Sequence, residues 1–108
     1  MRIAAVGSAF PPNYYDQDTL LAAFRRHWAD RVFNLDRLDA LHRNVLVGGR
    51  HLALPMEAYE GLATWGQAND AWITVAQQVG EQAVRDGLET AGLAPDDVGV
   101  FVFVTVTG

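Results

Sequence analysis

The last residues of the chain carry its clearest hydrophobic pattern. From residue 98 to residue 106 valine occupies every even position, and the odd positions hold Gly99, Phe101, Phe103 and Thr105. Such a strand would be apolar or β-branched on both faces, as are the buried strands of parallel sheets covered by helices. We therefore predict a buried strand over residues 98–106 and an α/β fold with a mostly parallel sheet and flanking helices. Because ligands bind at the carboxyl ends of such strands, we expect an active site to begin at this tip.

A second strand is predicted at the start of the chain, over residues 2–10. Its apolar residues do not alternate with polar ones, which favours a central position in the sheet. Gly7 and Ser8 are small enough to permit close approach of a neighbouring backbone or a bulge. Pro11 and Pro12 end the strand because proline lacks a backbone donor. We expect the first and last strands to be parallel and joined by a right-handed crossover.

Two helices follow, each with a candidate amino-terminal cap. Asp18 or Thr19 is predicted to cap the first, which runs to about residue 30, with Arg25 and Arg26 facing water. Asn34 is predicted to cap the second, which runs to about residue 44. Apolar residues recur at helical spacing on one side of each helix. In the second helix the predicted buried side is formed by Leu35, Leu38, Leu41 and Val45.

The longest helix is predicted to begin at Asn69 or Asp70 and to stop at Gly92, after a short strand over residues 50–54 and an ambiguous stretch over residues 56–68. Gly80 and Gly87 lie inside this helix, and we expect them where another backbone packs closely; the alternative is that they are tolerated weak spots in the helix.

A short helix is predicted to start at Pro95. Asp96 and Asp97 suit the positive end of its dipole better than a paired-carboxylate site.

Composition limits the functions open to the chain. Its 108 residues make one modest domain at most, and half of them are hydrophobic, which excludes disorder. The net charge of −5 argues against a general binder of nucleic acid or of membrane surfaces. No run approaches the roughly 18 apolar residues of a membrane span, so we expect a cytoplasmic protein. There is no Cys, which excludes thiolate metal sites and a Cys nucleophile within the chain, and we expect no metal site.

Four motifs together resemble a known family. Residues 91–98 (AGLAPDDV), followed by an apolar strand that ends in residues 105–108 (TVTG), resemble the thiolase superfamily. Residues 50–57 (RHLALPME) and 3–11 (IAAVGSAFP) extend this likeness to the amino-terminal part of a bacterial type III polyketide synthase. These are the chalcone and stilbene synthase-like enzymes, and the resemblance covers essentially the whole chain.

The resemblance implies that residues 1–108 are the amino-terminal portion of the N-terminal domain, a fragment with a partial thiolase-like fold. It implies an acyltransferase, a homodimer when complete, that extends an acyl-CoA starter by decarboxylative condensation with malonyl-CoA and needs no cofactor beyond these thioesters. Its catalytic Cys would follow residue 108, and its catalytic His and Asn would belong to the other half. His27, His42 and His51 do not match that His, so we interpret them as structural or surface residues. The chain alone is expected to be inactive.

The resemblance also suggests where coenzyme A binds. In plant members of the family three basic positions on the second helix do this, and here they correspond to Arg37, Ala40 and Asn44. Arg37 is therefore a candidate CoA-binding residue. Arg43 is the neighbouring candidate, although it points about a third of a turn away from the face that Arg37 and Asn44 share. For Arg37 an ordinary solvated helix residue is an equal alternative, and for Arg43 it is the favoured one. Arg50 is interpreted as a salt-bridge anchor rather than a phosphate contact.

Val106 and Thr107 are candidate pocket-lining residues, because the matching stretch in the family passes beside the reactive Cys. The alternative is that Val106 is a plain core residue. Two alternatives remain for the protein as a whole. One is another thiolase-fold condensing enzyme, such as the initiating ketoacyl synthase or hydroxymethylglutaryl-CoA synthase. The other is a non-catalytic truncated interaction domain.

Overall fold

The described residues of the computed structural model, 2–28 and 34–105, form two compact units. One comprises residues 12–52, and the other joins residues 2–11 to residues 53–105. In chain order the elements are β1 (Asn13–Asp16), α1 (Gln17–Trp28), α2 (Leu35–Asn44), β2 (Gly49–Leu52), a 3-10 helix (Met56–Gly61), α3 (Trp65–Ala91) and a second 3-10 helix (Pro95–Asp97).

The described residues contain a single sheet, and it is antiparallel. β1 pairs with β2 in a register that sets Tyr15 opposite Arg50. The sheet leads directly into α1, because the amide of Gln17 donates to the carbonyl of Gly48 at 3.0 Å. The prediction of a mostly parallel sheet is therefore wrong for this part of the chain. The short strand expected over residues 50–54 does form, but its partner is the segment after Pro12 and not residues 2–10.

Neither of the two long strands predicted at the ends of the chain is present in the described residues. Residues 2–10 and 98–105 have no regular secondary structure. The physical reason is the lack of a neighbouring strand: none of residues 99–104 forms a hydrogen bond with another described residue. Val100, Val102 and Val104 are 82%, 76% and 81% exposed, so the prediction of burial is also wrong here.

The first two helices begin at side-chain caps. Asp16 caps α1, since its Oδ1 accepts the amide of Thr19 at 2.7 Å, and the predicted caps Asp18 and Thr19 lie in the first turn instead. Asn34 caps α2 as predicted, with its Oδ1 accepting the amide of Arg37 at 2.9 Å. The end of β1 fixes the first boundary, because the strand delivers Asp16 to the helix start.

α3 is longer than the apolar pattern predicts. It begins at Trp65, ahead of Asn69, because Thr64 and Gln67 form a reciprocal capping box. It ends as predicted at Gly92, whose φ of 68° is left-handed. The short helix at Pro95 is confirmed. There Asp97 accepts the amide of Ala94 at 2.8 Å, in agreement with a helix-start role.

A close backbone contact fixes residue 7 against α3. A Cβ on Gly7 would overlap the carbonyl oxygen of Ala83 and the amide nitrogen of Gly87, and one on Gly87 would lie 3.3 Å from the Gly7 nitrogen. The next residue adds a hydrogen bond from the amide of Ser8 to the Asp86 carboxylate at 3.1 Å. The expected close approach is thus confirmed at Gly7 and Gly87. It is wrong at Gly80, where nothing lies within 4 Å of a Cβ.

Burial is sparse throughout the described residues. Leu21 of α1, at 7% exposure, is the one hydrophobic residue among them that counts as buried. The apolar face of α3 is half-buried along residues 72, 75, 76, 79, 83 and 88. Large apolar side chains elsewhere are exposed, including Phe101 and Phe103.

The two glycine environments predict opposite effects of the same substitution. Gly7→Ala should destabilise the chain by about 1–3 kcal/mol, because the methyl group meets backbone that cannot rotate away. Gly80→Ala is the matched control and should stabilise by about 0.5–1 kcal/mol through helix propensity. Thermal unfolding of the 108-residue chain measures both. Equal effects of the two substitutions would contradict the contact at Gly7.

The Asp16 cap predicts a pH dependence of α1. The hydrogen bond from the Thr19 amide lowers the pKa of Asp16 below its ordinary value of 3.8. A lowered pKa means that the cap stabilises fully above 3.8 and is lost as the pH falls through the lower value. Exchange of the Thr19 amide should therefore accelerate only in strong acid. Asp16→Asn, which caps without titrating, should remove this dependence, and an unchanged pH profile in that variant would exclude the assignment.

Candidate functional site

α2 presents the two candidate CoA-binding arginines to solvent. Arg37 and Arg43 are both exposed, and within the described residues neither forms an ion pair. The backbone amide of Arg37 donates to Asn34 Oδ1 at the start of the helix. The two arginines are six positions apart in the sequence, so they lie about a third of a turn apart around the helix. Each can donate bidentate hydrogen bonds to an anion, but they do not converge on a single point.

Polar contacts attach α2 to α1. Arg25 Nε donates to Asp39 Oδ1 at 2.8 Å, and a second guanidinium nitrogen pairs with Asp39 Oδ2. Asp36 lies 4.0 Å from the same guanidinium. The prediction that Arg25 simply faces water is wrong, whereas Arg26 is exposed as predicted. At the other end of α2, Gln17 Nε2 donates to the carbonyl of His42 at 3.2 Å.

The apolar side of α2 contributes less than its pattern predicts. Leu35 and Leu38 are half-buried, but Leu41 and Val45 are 55% and 52% exposed. The predicted buried side is therefore only half-buried over the first turn, and it is exposed beyond it. The polar contacts with Arg25 and Gln17 carry a correspondingly larger share of the attachment.

The histidines fit the structural or surface interpretation. His42 Nδ1 lies 2.9 Å from the carbonyl of Leu38, one turn back in α2. His51 is exposed, with its ring centroid 5.0 Å from that of Tyr14, and His27 is also exposed. Within residues 2–28 and 34–105, no group of three His, Asp or Glu side chains is arranged to hold a metal ion.

Arg50 differs from its prediction as a salt-bridge anchor. It is exposed in β2, and it has no ion pair within the described residues. Its cross-strand neighbour is Tyr15, and the carboxylate of β1, Asp16, caps α1 instead.

Positive charge is concentrated in residues 12–52. This segment contains six of the eight arginines and all three histidines, whereas eight of the thirteen acidic residues lie outside it. An acidic chain thus carries most of its basic residues in one unit, and α2 belongs to that unit. The charge distribution favours this unit over the other for contact with an anion.

The second unit contains an apolar groove of about 470 Å³. It lies between one face of α3 and the segment that follows the second 3-10 helix, and its apolar lining comes from Trp72, Ile73, Ala76, Val84, Phe101 and Phe103. The phenylalanines of the 98–105 segment therefore line the groove, and its valines face solvent. Glu81 is its single ionisable lining residue, so the groove suits apolar packing and not catalysis.

The sequence-predicted site residues are thus placed unequally. Arg37 and Arg43 share α2, and Val106 and Thr107 lie outside the described residues. The analysis of sequence patterns missed the Arg25–Asp39 pair, which spans 14 residues and two helices and has no local signal. The groove was also missed, although the alternation of Phe and Val indicates that the 98–105 segment has two different faces.

Comparison with known proteins identifies a similar enzyme. The chain is 39% identical over 106 residues, 98% of its length, to the 1,3,6,8-tetrahydroxynaphthalene synthase of Streptomyces peucetius subsp. caesius, a type III polyketide synthase. It spans 28% of that enzyme's length. This similarity confirms the resemblance to type III polyketide synthases. No family model matches the chain. None of the described helices is long and apolar enough to span a membrane.

Proposed function

We propose that this chain is the amino-terminal portion of a type III polyketide synthase. The observation that carries the proposal is the 39% identity to a tetrahydroxynaphthalene synthase over 98% of the chain. The complete enzyme would be a cytoplasmic homodimer with two similar thiolase-like halves. Residues 1–108 would form part of the first half, ahead of the catalytic Cys.

The proposed reaction is an acyl transfer followed by carbon–carbon bond formation. A Cys thiolate attacks the acyl-CoA carbonyl and releases the CoA thiolate. Malonyl-CoA then loses CO2, and the carbanion left on its α-carbon attacks the acyl carbonyl, which releases the Cys thiolate and leaves the chain on CoA. The present chain lacks Cys, so its contribution would be substrate binding and pocket shape.

Arg37 is the proposed contact for the CoA phosphates, and Arg43 is the secondary candidate. Arg37 is exposed on a helix of the basic unit, and its guanidinium has no ion-pair partner within the described residues. A guanidinium that is free of carboxylates can form the bidentate, charge-assisted hydrogen bonds that phosphate accepts. The proposed reaction needs no cofactor beyond the CoA thioesters themselves.

Val106 and Thr107 are proposed to line the reaction cavity. A β-branched apolar side chain at position 106 would narrow the cavity and favour apolar starters or intermediates. The motif in residues 50–57 favours a polyketide synthase over the initiating ketoacyl synthase and hydroxymethylglutaryl-CoA synthase.

A non-catalytic interaction domain is the second candidate, and one observation favours it. Val100, Val102 and Val104 are exposed and follow one another on one side of the 98–105 segment. An exposed apolar edge of this kind promotes association with another chain.

Turnover of malonyl-CoA separates the two candidates. We expect the full-length protein to release CO2 from malonyl-CoA when an acyl-CoA starter is present, and the 108-residue chain to release none. Replacement of the Cys that follows an Ala- and Gly-rich strand-to-helix turn in the full-length protein should abolish the release. A full-length protein that is inactive with a panel of starters would contradict the enzyme and favour the interaction domain.

Arg37→Ala tests the proposed phosphate contact in the full-length enzyme. Loss of a charge-assisted hydrogen bond of about 1.5–3 kcal/mol should raise KM for CoA thioesters at least about tenfold, with the fold and kcat unchanged. Arg26→Ala removes another exposed arginine of the same unit and serves as the control. An unchanged KM in Arg37→Ala would remove the assignment.

A further inference from the structure

α2 is a helix with little apolar attachment. None of its residues is buried, and its apolar inward side is limited to the half-buried Leu35 and Leu38. An amphipathic helix is normally fixed by burial of its apolar stripe. Where that burial is weak, the rotation of the helix about its own axis depends on polar contacts.

The contact with Arg25 has the geometry to fix such a rotation. Its planar guanidinium pairs with both carboxylate oxygens of Asp39, and a fork of this kind permits one orientation where a single hydrogen bond permits many. The side chains of Arg25 and Asp39 are 40% and 21% exposed, compared with 68% and 64% for the Arg85–Glu81 pair of α3. The first pair is therefore screened less by water.

The position of Asp39 determines where Arg37 points. Two residues along a helix correspond to a rotation of about 200°, so the side that holds Asp39 against α1 directs Arg37 away from α1. Asp36 lies about 60° from Asp39 and accordingly approaches the same guanidinium. The Arg25–Asp39 contact thus directs Arg37 outward, alongside the contacts that α1 makes with His42.

We propose that Arg25 is a positioning residue for CoA binding, which acts through Asp39 to hold α2 in the rotation that presents Arg37 to the substrate. The inference rests on the proposed function. Arg25 itself touches no substrate in this scheme. Without the Arg25 side chain, α2 can rotate about its own axis, and the Arg37 side chain no longer keeps one direction.

The direction in which Asp39→Asn changes CoA binding distinguishes a positioning role from a simple effect of charge. If only charge mattered, Arg25→Ala would weaken binding of anionic CoA, and Asp39→Asn would strengthen it because a negative charge near Arg37 disappears. If the pair positions α2, both substitutions weaken binding, because each breaks the same fork.

The experiment measures binding of free CoA by calorimetry, and KM and kcat for an acyl-CoA, in the full-length protein. We expect Arg25→Ala and Asp39→Asn each to raise Kd and KM about fivefold with kcat unchanged. Arg25→Lys keeps the charge but loses the fork, and it should behave like Arg25→Ala. The reversed pair, Arg25→Asp with Asp39→Arg, should restore binding to within about twofold. Arg26→Ala is the control and should have no effect.

Amide exchange of residues 38–44 provides the readout that is independent of ligand. Exchange should be faster in the Arg25 and Asp39 single variants, and its rate should return to the wild-type value in the reversed pair. Stronger CoA binding in Asp39→Asn, or unchanged binding in both single variants, would overturn the positioning role of Arg25. The proposed function would still stand in that case, provided that the wild-type protein binds CoA. Failure of the wild-type protein to bind CoA would overturn both.

Discussion

The chain holds more apolar surface than its described residues bury. Half of its residues are hydrophobic, yet Leu21 alone among the described hydrophobic residues is buried. Small domains bury only a limited fraction of their surface. In the described part of this chain the buried apolar surface is small for a sequence in which half of the residues are hydrophobic. The other features follow from this constraint. The 98–105 segment lies exposed, α3 retains an open apolar groove, and α2 relies on polar contacts for its attachment.

Contacts set by neighbouring residues were predictable, because their signals lie within a few positions of one another. Asn34, Gly92 and Pro95 mark helix ends in the sequence and in the structure. The start of α3 was missed because its capping box at Thr64 and Gln67 precedes the apolar periodicity that indicates the helix. Periodicity locates the buried face of a helix, whereas caps locate its ends.

Long-range contacts were less predictable, for a physical reason. A strand is held in place by hydrogen bonds to a neighbouring strand. The sequence of residues 98–105 is typical of a strand, but no strand forms there because no partner strand among the described residues supplies these hydrogen bonds. The closeness of Gly7 to Gly87 was foreseeable from residue size, but the choice of Gly87 over Gly80 depends on where the first segment lies. The Arg25–Asp39 pair depends on how two helices meet, which neither helix specifies alone. For the site, the resemblance selected Arg37, and the structure shows that this residue is exposed on α2.

Everything proposed for function depends on the valine-rich segment being an interior strand of a larger enzyme. Hydrogen exchange of the amides of residues 99–104 tests this directly, in the 108-residue chain and in the full-length protein. The account predicts rapid exchange in the former, where these residues form no hydrogen bond with the described chain, and strong protection in the latter. Rapid exchange in both would contradict it.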